Sequence, residues 1–547
     1  MVANRQVAWG SFPVITGSRC GSLLVSVEDS RAMDTEAQAE WGFNVFALIE
    51  AAGRLCAQAL VETYPELFKN RPRITVAAGT GNNAADALVM LRYWLLSSLT
   101  DASLSTVIVS RMPKDGETSP WAELLHSLGK MKVNVLAYNA EKDSGFHADG
   151  VLAESDIVLD GIAGTGLEGA LRGTAAEMVK AVNAELANRR PFVVSIDLPS
   201  GLSEQWAPGM PIVKADLTLA IEPQKYCLYT PAARPYAGTI VPVRGVFPME
   251  LTASCKGAEL LDWESARERI IKVRPDAYKN ERGCVEIKAG SPGATGAAVI
   301  AGRGAQAAGA GLIRLVVDDG IYPIVASRAS SGIMVVPSSV NAAADAAENA
   351  PTVDAVLLGP GWGRTQSRAG EFERALALEK EGAPLILDAE AIELARGAVF
   401  NGNAIMTPHP GELSRFIAGA YEARYTGIDK EELLHRPVPI LLEHSRKCNA
   451  VIVFKGHVIT IAAPDGRVGV VDGMLPGLAS GGSGDLLAGL CVGIAAGMAR
   501  RGSFDAYVCA AAAASLLIAS GKRFKTRFTD PLEIACKAAD LAGEAWL

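Results

Sequence analysis

The stretch PGLASGGSGDLLAGLCVGIAAG, residues 476–497, places a glycine-rich turn directly before an apolar helical run, with Asp485 at the entrance of that run. Such a turn leaves backbone N–H groups free, and together with the helix dipole they attract an anion such as a phosphate. A carboxylate beside that anion can take the proton of a hydroxyl group, while the amides stabilise developing negative charge. The alternative is a plain helix start with Asp485 as its N-cap, because short glycine motifs also occur without a ligand.

Five further segments of the second half support the anion-binding interpretation. They are GSPGATGA (290–297), GPGWG (359–363), LILDAEAI (385–392), TPHPGE (407–412) and FKG (454–456). Together with GGSGD, and in the same order, they resemble the ADP- or ATP-dependent NAD(P)H-hydrate dehydratase family, which has a ribokinase-like fold. The resemblance implies a dehydratase domain over residues 260–547.

This resemblance also implies a set of site residues. The hydrated nicotinamide nucleotide would contact Ala297, Gly361, His409 and Asp485, and the adenine nucleotide would contact Lys455, Gly456, His457, Val458, Ile459 and Gly484. In the implied reaction a phosphoryl group from ADP or ATP turns the 6-hydroxyl of the hydrated ring into a leaving group, with Asp485 as the base. Mg²⁺ is expected on the nucleotide phosphates, since it bridges their oxygens.

The first half carries a second set of segments, namely GTGNNAAD (79–86), VLDGIAGTGLEG (158–169), SIDLPSG (195–201) and VKADLT (213–218). In this order they resemble the NAD(P)H-hydrate epimerase domain. The resemblance implies a K⁺ site made by Asn83, Asp160 and Ser200, whose oxygen atoms are hard ligands that suit such a cation. It also implies that the substrate contacts Asn82, Asn83, Asp86, Gly164, Thr165, Gly166, Leu167, Glu168, Gly169, Ala170 and Asp197.

Asp197 is the best acid or base candidate of this half, because it follows an apolar strand at the edge where doubly wound sheets bind ligands. On its own it could equally be a turn-forming residue before Pro199. One departure concerns the segment that the family usually reads as GNNGGDG, where this chain has Ala84, Ala85 and Ala87. Added Cβ atoms disfavour left-handed backbone and fill space beside a ligand, but they are harmless if these positions only begin a helix.

Strand and helix patterns alternate through both halves, which predicts two α/β domains with mostly parallel sheets. The expected arrangement is a Rossmann-like three-layer domain over residues 1–250, followed by a ribokinase-like α/β domain over residues 260–547. The polar stretch LLDWESARERIIKV, residues 260–273, is expected to be a helical junction between them. Residues 30–62 are expected to form one long amphipathic helix or a helix pair.

Composition limits the remaining function classes. A chain of 547 residues with 49% hydrophobic and 20% charged residues suits a large α/β enzyme and not a disordered protein. The net charge of −8 without a basic run gives no sign of a nucleic-acid or membrane partner. Nine cysteines without a C-x-x-C pair are expected to be reduced and mostly buried, in a cytoplasmic chain without a signal segment. The partners expected are hydrated NADH or NADPH and ADP or ATP, in a homo-oligomer.

Two other functions are compatible with parts of the sequence. A small-molecule kinase would use the same glycine turn and aspartate on an ordinary alcohol, although a kinase does not account for the epimerase-like half. A binding protein with a silent first half would not need Asn83, Asp160, Asp197 and Ser200 together. We therefore expect a bifunctional enzyme, an isomerase and a lyase in one chain, that repairs hydrated nicotinamide nucleotides.

Overall fold

The computed structural model describes residues 23–138, 148–188, 191–270, 272–345, 352–363, 368–420, 430–524 and 528–546. The chain divides into two compact units between Ala258 and Glu259, which we call the N-terminal unit and the C-terminal unit. In both, helices cover sheets made of mostly parallel strands, which confirms the predicted α/β class. Among the described residues, no helix is long and apolar enough to cross a membrane.

The N-terminal unit contains a parallel sheet with helices on both faces. Its strands are β1 (Leu23–Val25), β2 (Ile74–Ala78), β3 (Ser105–Val109), β4 (Asn134–Ala137), β5 (Ile157–Gly161), β6 (Phe192–Ile196), β7 (Leu217–Ile221), β8 (Gln224–Lys225) and β9 (Thr239–Val243). Its helices are α1 (Val27–Ala39), α2 (Val45–Thr63), α3 (Asn82–Leu96), α4 (Pro120–Lys130), α5 (Ala148–Glu154), α6 (Gly173–Asn188) and α7 (Met249–Ala253). The sheet order is β4-β3-β2-β5-β6-β7-β9, and β1 pairs separately with β8.

Strand β2 shows why this sheet needs cover on both of its faces. All five of its side chains are buried; Ile74, Val76 and Ala78 contribute to the core on one face and Ala77 to the core on the other. Alternate residues of a strand face opposite sides, so a continuous apolar run requires cover on both. The predicted amphipathic region 30–62 forms the pair α1 and α2, and α2 packs on α3 over this sheet.

The C-terminal unit is built on a larger mixed sheet. Its strands are β10 (Ala258–Leu260), which begins at the division, β11 (Cys284–Lys288), β12 (Leu312–Val317), β13 (Met334–Pro337), β14 (Ala355–Leu358), β15 (Leu385–Leu387), β16 (Ala404–Met406), β17 (Val451–Phe454), β18 (Val458–Ala462) and β19 (Val468–Asp472). They follow the order β13-β12-β11-β14-β15-β16-β17-β18-β19-β10. Strand β18 is antiparallel to both of its neighbours, and the remaining pairs are parallel.

The helices of this unit include the predicted alanine-rich block. They are α8 (Trp263–Arg267), α9 (Thr295–Ala307), α10 (Tyr322–Arg328), α11 (Ser338–Asp345), α12 (Ala369–Lys380), α13 (Glu390–Leu394), α14 (Pro410–Ala420), α15 (Lys430–His435), α16 (Pro437–Cys448), α17 (Ser483–Arg500), α18 (Ala506–Lys522) and α19 (Pro531–Trp546). Helices α9 and α17 lie unusually close, since a Cβ on Gly489 would stand 2.3 Å from the Ala301 carbonyl oxygen. This contact fixes the start of α17, and with it Asp485, against the start of α9.

The expectation of a polar helical junction at 260–273 is wrong in extent. Among the described residues of this stretch only α8 is helical; it begins at an Asp262 capping box, and Trp263 and Ile270 pack into the core of the C-terminal unit. Apolar side chains within a polar stretch thus made it part of the domain and not a linker. The sequence pattern also missed β13 and the antiparallel pair β18 and β19. The cysteines in the described residues are free, whereas Cys20 lies outside them.

Candidate active sites

A cavity of about 580 Å³ in the N-terminal unit gathers most residues predicted for the first site. The start of α3 contributes Asn82, Asn83 and Asp86, the loop after β5 contributes residues 164–167, and Asp197 follows β6. Because β2, β5 and β6 are adjacent parallel strands, their carboxyl ends place these groups at one edge of the sheet. The structure thus brings these distant segments of the chain together at one cavity.

The loop after β5 is only partly inside this cavity. Gly164, Thr165, Gly166 and Leu167 line it, whereas Glu168, Gly169 and Ala170, although described, do not belong to its lining. The Glu168 side chain is 81% exposed and stands 3.5 Å from Arg31 of α1. Arg31 also donates a hydrogen bond to the Thr165 carbonyl oxygen, so α1 holds this loop over the cavity.

The three alanines that replace family glycines adopt ordinary helical backbone within α3. Ala84, Ala85 and Ala87 are buried, with exposed fractions of 1% or less. Space for Ala87 is provided by Gly161, on which a Cβ would stand 2.9 Å from the Ala87 Cβ. The three alanines therefore lie in a helix, which is one of the two alternatives that the sequence left open. None of them has a left-handed backbone.

Asp197 has a left-handed backbone, with φ of 63°, and its carboxylate is paired with a lysine. Lys225 Nζ donates a hydrogen bond to Asp197 Oδ1 at 2.7 Å and another to the Ile221 carbonyl oxygen at 3.0 Å. Lys225 was not among the residues predicted from the sequence, because residues 222–224, which separate it from the end of β7, carry no motif. Both residues line the cavity.

Two further carboxyl groups face the same cavity, from Asp34 of α1 and Asp86 of α3. Burial, and then the charges of Asp197 and Asp34, raise the pKa of the Asp86 carboxyl well above its ordinary value. Burial also raises the pKa of Asp34, although Lys225 opposes this. Asp34 was missed from the sequence because a single carboxylate on an amphipathic helix carries no local signal.

Of the residues predicted to hold a cation, Asn83 lines the cavity, whereas Asp160 and Ser200 do not belong to its lining. Asp160 is fully buried, and its Oδ2 accepts hydrogen bonds from Ser195 Oγ at 2.7 Å and from the Ser200 amide at 2.8 Å. Asn83 Nδ2 and Ser200 Oγ both donate to the Ala163 carbonyl oxygen, at 3.1 and 2.9 Å. Asn83 Oδ1 is buried and has no hydrogen-bond partner within the described part of the chain. Asn83, Asp160 and Ser200 are thus linked to one another through the Ala163 carbonyl oxygen and the Ser200 amide.

In the C-terminal unit the predicted residues follow neighbouring strands at their carboxyl ends. Gly361 lies after β14, His409 after β16 and Lys455 directly after β17. The backbone at Gly361 is left-handed, with φ of 63°, and a Cβ there would stand 2.7 Å from the Ala297 Cβ. Gly361 and Ala297 are therefore in contact, which brings the loop after β14 against the start of α9.

Lys455 lies at the centre of an acidic cluster. Its Nζ is 2.6 Å from Asp388 Oδ1 and 3.7 Å from Glu412 Oε2. Thr407 Oγ1 donates to the same Asp388 oxygen at 2.7 Å. Burial lowers the pKa of Lys455, but the charges of Asp388 and Glu412 outweigh it and raise that pKa above its ordinary value. The ammonium group is therefore kept charged.

Asp485 belongs to the same acidic cluster, and its pKa is raised well above the ordinary value of an aspartate. Burial, followed by the charge of Asp388, raises the pKa of Asp485 to about 7, while Lys455 opposes the shift. A Cβ on Gly484 would stand 3.4 Å from Lys455 Nζ, so the start of α17 adjoins the lysine. The first N–H groups of this 18-residue helix have no intrahelical partners and can bind a phosphate there.

The remaining predicted contacts differ in how they can reach a ligand. His409 has a half-exposed side chain, with Nε2 3.3 Å from Glu412 Oε1, while its Nδ1 accepts from the Gly411 amide. Gly456 and His457 are exposed, whereas Val458 and Ile459 are buried in β18. Val458 and Ile459 therefore offer a nucleotide little exposed surface. Asp388 and Glu412 were within quoted motifs, but their pairing with Lys455 was not foreseen.

Comparison with known proteins supports both halves of this arrangement. The family model for NAD(P)H-hydrate dehydratase matches residues 285–539, and the model described as YjeF-related protein N-terminus matches residues 45–227. The bifunctional NAD(P)H-hydrate repair enzyme of Gloeobacter violaceus is 32% identical over 86% of this chain and 88% of its own. That of Moorella thermoacetica is 28% identical over 86% and 88%.

A solved structure resembles the C-terminal half. It is the ADP/ATP-dependent NAD(P)H-hydrate dehydratase from Bacillus subtilis, co-crystallised with ATP and Mg²⁺, which is 26% identical. The match covers 52% of this chain and 98% of that chain, with a TM-score of 0.43.

Proposed function

Because this chain belongs to the family of bifunctional NAD(P)H-hydrate repair enzymes, we propose that its two sites divide the repair between them. The cavity of the N-terminal unit interconverts the R and S epimers of hydrated NADH and NADPH. The cluster around Asp485 dehydrates the S epimer with ADP or ATP and releases AMP or ADP with phosphate. The observation that carries the proposal is Asp485 at the start of α17, beside a charged lysine and with a pKa of about 7.

The dehydration assigns a separate task to each charged group of the C-terminal site. Asp485 takes the proton of the 6-hydroxyl as that oxygen attacks the terminal phosphoryl group of the nucleotide. Lys455 and the amides at the start of α17 stabilise the charge on the phosphate oxygens. Asp388 orients Lys455 through the 2.6 Å contact. Phosphate then leaves with the electrons of the C6–O bond, and loss of the C5 proton to solvent forms the C5=C6 double bond of the dihydronicotinamide ring. Mg²⁺, when bound with the nucleotide, neutralises charge on the phosphates.

Epimerisation needs a proton acceptor and a proton donor close to the carbon that carries the 6-hydroxyl. We propose that Asp197 is the acceptor. We also propose that Asn83, Asp160 and Ser200 hold K⁺. The unpartnered, buried Asn83 Oδ1 fits this ion, because a buried acceptor without a donor is costly unless a cation or water satisfies it. Bound there, K⁺ would supply a fixed positive charge beneath the loop after β5.

The test uses purified full-length protein with a mixture of R and S hydrated NADH, Mg²⁺, and ADP or ATP. We expect nicotinamide absorbance to return fully with one nucleotide, with AMP or ADP and phosphate formed in equal amounts. Turnover without any nucleotide would contradict the phosphoryl-transfer mechanism. For the cation, K⁺ should raise the unfolding temperature more than the same concentration of tetramethylammonium, and Asn83→Leu should abolish this difference.

A further inference from the structure

The Lys225 side chain is an unexpected feature of the N-terminal cavity. It is only 3% exposed, yet it belongs to the cavity lining and contacts Asp197 Oδ1 at 2.7 Å. Burying an ammonium group is costly unless a partner compensates for it, and here the partner is the proposed base itself. Asp34 of α1 also lines the cavity and interacts electrostatically with Lys225. The cavity therefore places the Lys225 ammonium group among the carboxyl groups of Asp34, Asp86 and Asp197.

The substrate has a matching arrangement of atoms. In the hydrated ring, the nitrogen N1 and the hydroxyl oxygen are both bonded to carbon C6, which makes that carbon a carbinolamine. Two atoms bonded to one carbon stand about 2.4 Å apart, given ordinary single-bond lengths and angles. An acid and a base separated by 2.7 Å can therefore exchange protons with both atoms at once. Asp86 Oδ1, which is buried without a partner among the described residues, offers a further acceptor in this cavity.

We propose that Lys225 is a second catalytic residue of epimerisation, the acid that works with Asp197 as the base; this rests on the proposed function of the cavity. Asp197 removes the hydroxyl proton, the O–H electrons form the C=O bond of an aldehyde, and the C6–N1 bond breaks. Its electron pair goes to N1, which receives a proton from the Lys225 ammonium group. Rotation about C5–C6 presents the other aldehyde face, and N1 attacks it. The N1 proton returns to Lys225, and the oxygen recovers its proton from Asp197. No atom is gained or lost, and both side chains are regenerated.

The test begins with Lys225→Arg and Lys225→Met in the full-length chain. Arginine keeps the positive charge and can still pair with Asp197, but it does not release a proton in proteins. Methionine removes both the charge and the proton. The reaction is followed by chromatographic separation of R and S hydrated NADH without nucleotide, after subtraction of the uncatalysed rate. We expect kcat for epimerisation to fall on the order of 10²-fold or more in both variants, with KM changed by less than about threefold.

A matched control is Lys214→Met, because Lys214 belongs to the same unit but is exposed. It should epimerise as the unaltered chain does. The double variant Asp197→Asn with Lys225→Met removes both buried charges together and avoids leaving one unpaired. If the two residues act as a unit, the double variant should be no slower than either single variant. Near-ultraviolet circular dichroism of the double variant then verifies the folded state.

Four outcomes would overturn the role of Lys225. The first is a kcat of Lys225→Arg within about threefold of the normal value. In that case the positive charge at this position would be sufficient, and no proton from Lys225 would be needed. The second is a loss confined to KM. The third is obligatory incorporation of one solvent ¹⁸O in every epimerisation, which is the result expected when the C6–O bond breaks instead of the C6–N1 bond. Loss of epimerisation in Asp197→Asn with normal activity in Lys225→Met would reject this inference and keep the proposed function. Normal epimerisation in Asp197→Asn would instead reject the base assigned there.

Discussion

Each unit places a lysine against an aspartate that follows a parallel strand, yet the two sites use the pair differently. In the N-terminal cavity Lys225 contacts Asp197, the residue to which we assign the base. In the C-terminal site Lys455 contacts Asp388, and the proposed base Asp485 is left outside that close pair. Burial and the charge of Asp388 then raise the pKa of Asp485 to about 7.

This difference matches the chemistry that each site would perform. A base for phosphoryl transfer is most effective when its pKa lies near the working pH and a nearby cation is reserved for the phosphate. A base for reversible epimerisation needs an acid within reach of the same carbon. The position of the lysine relative to the base therefore separates the two sites better than the identity of their residues does.

The largest effect is expected when the base of each site is replaced in turn and both reactions are measured. Asp485→Asn keeps the size of the side chain but removes the base, so dehydration of the S epimer should fall on the order of 10² to 10⁴-fold. Epimerisation should continue unchanged. Asp197→Asn should do the reverse, leaving pure S substrate repaired at the normal rate. Both variants are assayed on separated epimers, and each serves as the control for the other. Equal loss of S dehydration in both would show that the two units share one site.

Lys455→Met tests the phosphate role of the second lysine. Hydrogen bonds to charged groups contribute about 1.5–3 kcal/mol, so KM for the nucleotide should rise by roughly ten- to a hundredfold. Epimerisation should not change. Lys447→Met is the matched control, because Lys447 forms a 2.7 Å ion pair with Glu443 on the exposed side of α16. A normal nucleotide KM in Lys455→Met would remove Lys455 from the nucleotide site.

The pH dependence of dehydration should report the raised pKa of Asp485. Only the ionised carboxylate can accept a proton, so kcat/KM for the S epimer should rise with pH and level off above about 7. Between pH 8 and pH 6 we expect a loss of about tenfold. A profile that is flat down to pH 5 would indicate a different base. The initial rates are measured at saturating nucleotide, with circular dichroism at each pH.

The smallest expected effect concerns the three alanines of α3. Restoring glycine at Ala84, Ala85 and Ala87 should lower the free energy of unfolding by about 1 kcal/mol per position, because glycine is the poorer helix former. Epimerisation should change by less than about twofold, and dehydration should not change. Thermal unfolding and the R-to-S rate are measured together. A large gain in epimerisation would show that the methyl group of Ala84, which lines the cavity, obstructs the substrate.

The sequence by itself determined most of the strands, the glycine turns and the residues at the ends of those strands, because these depend on neighbours along the chain. The apolar run at Ile74–Ala78 and the GGSGD turn are examples, and both lie where expected. The sequence left open whether Ala84, Ala85 and Ala87 belong to a helix or to a left-handed loop. The structure places all three in α3.

Only the tertiary structure decided which charges meet. Lys225 and Asp197 are 28 positions apart in the chain, and Lys455 and Asp388 are 67 apart. The Asp34 side chain reaches the same cavity from another helix. A pKa near 7 for Asp485 likewise needs the burial and the neighbouring carboxylates that folding brings together. Electrostatic interactions depend on distance and solvent exposure, and neither can be read from spacing along the chain.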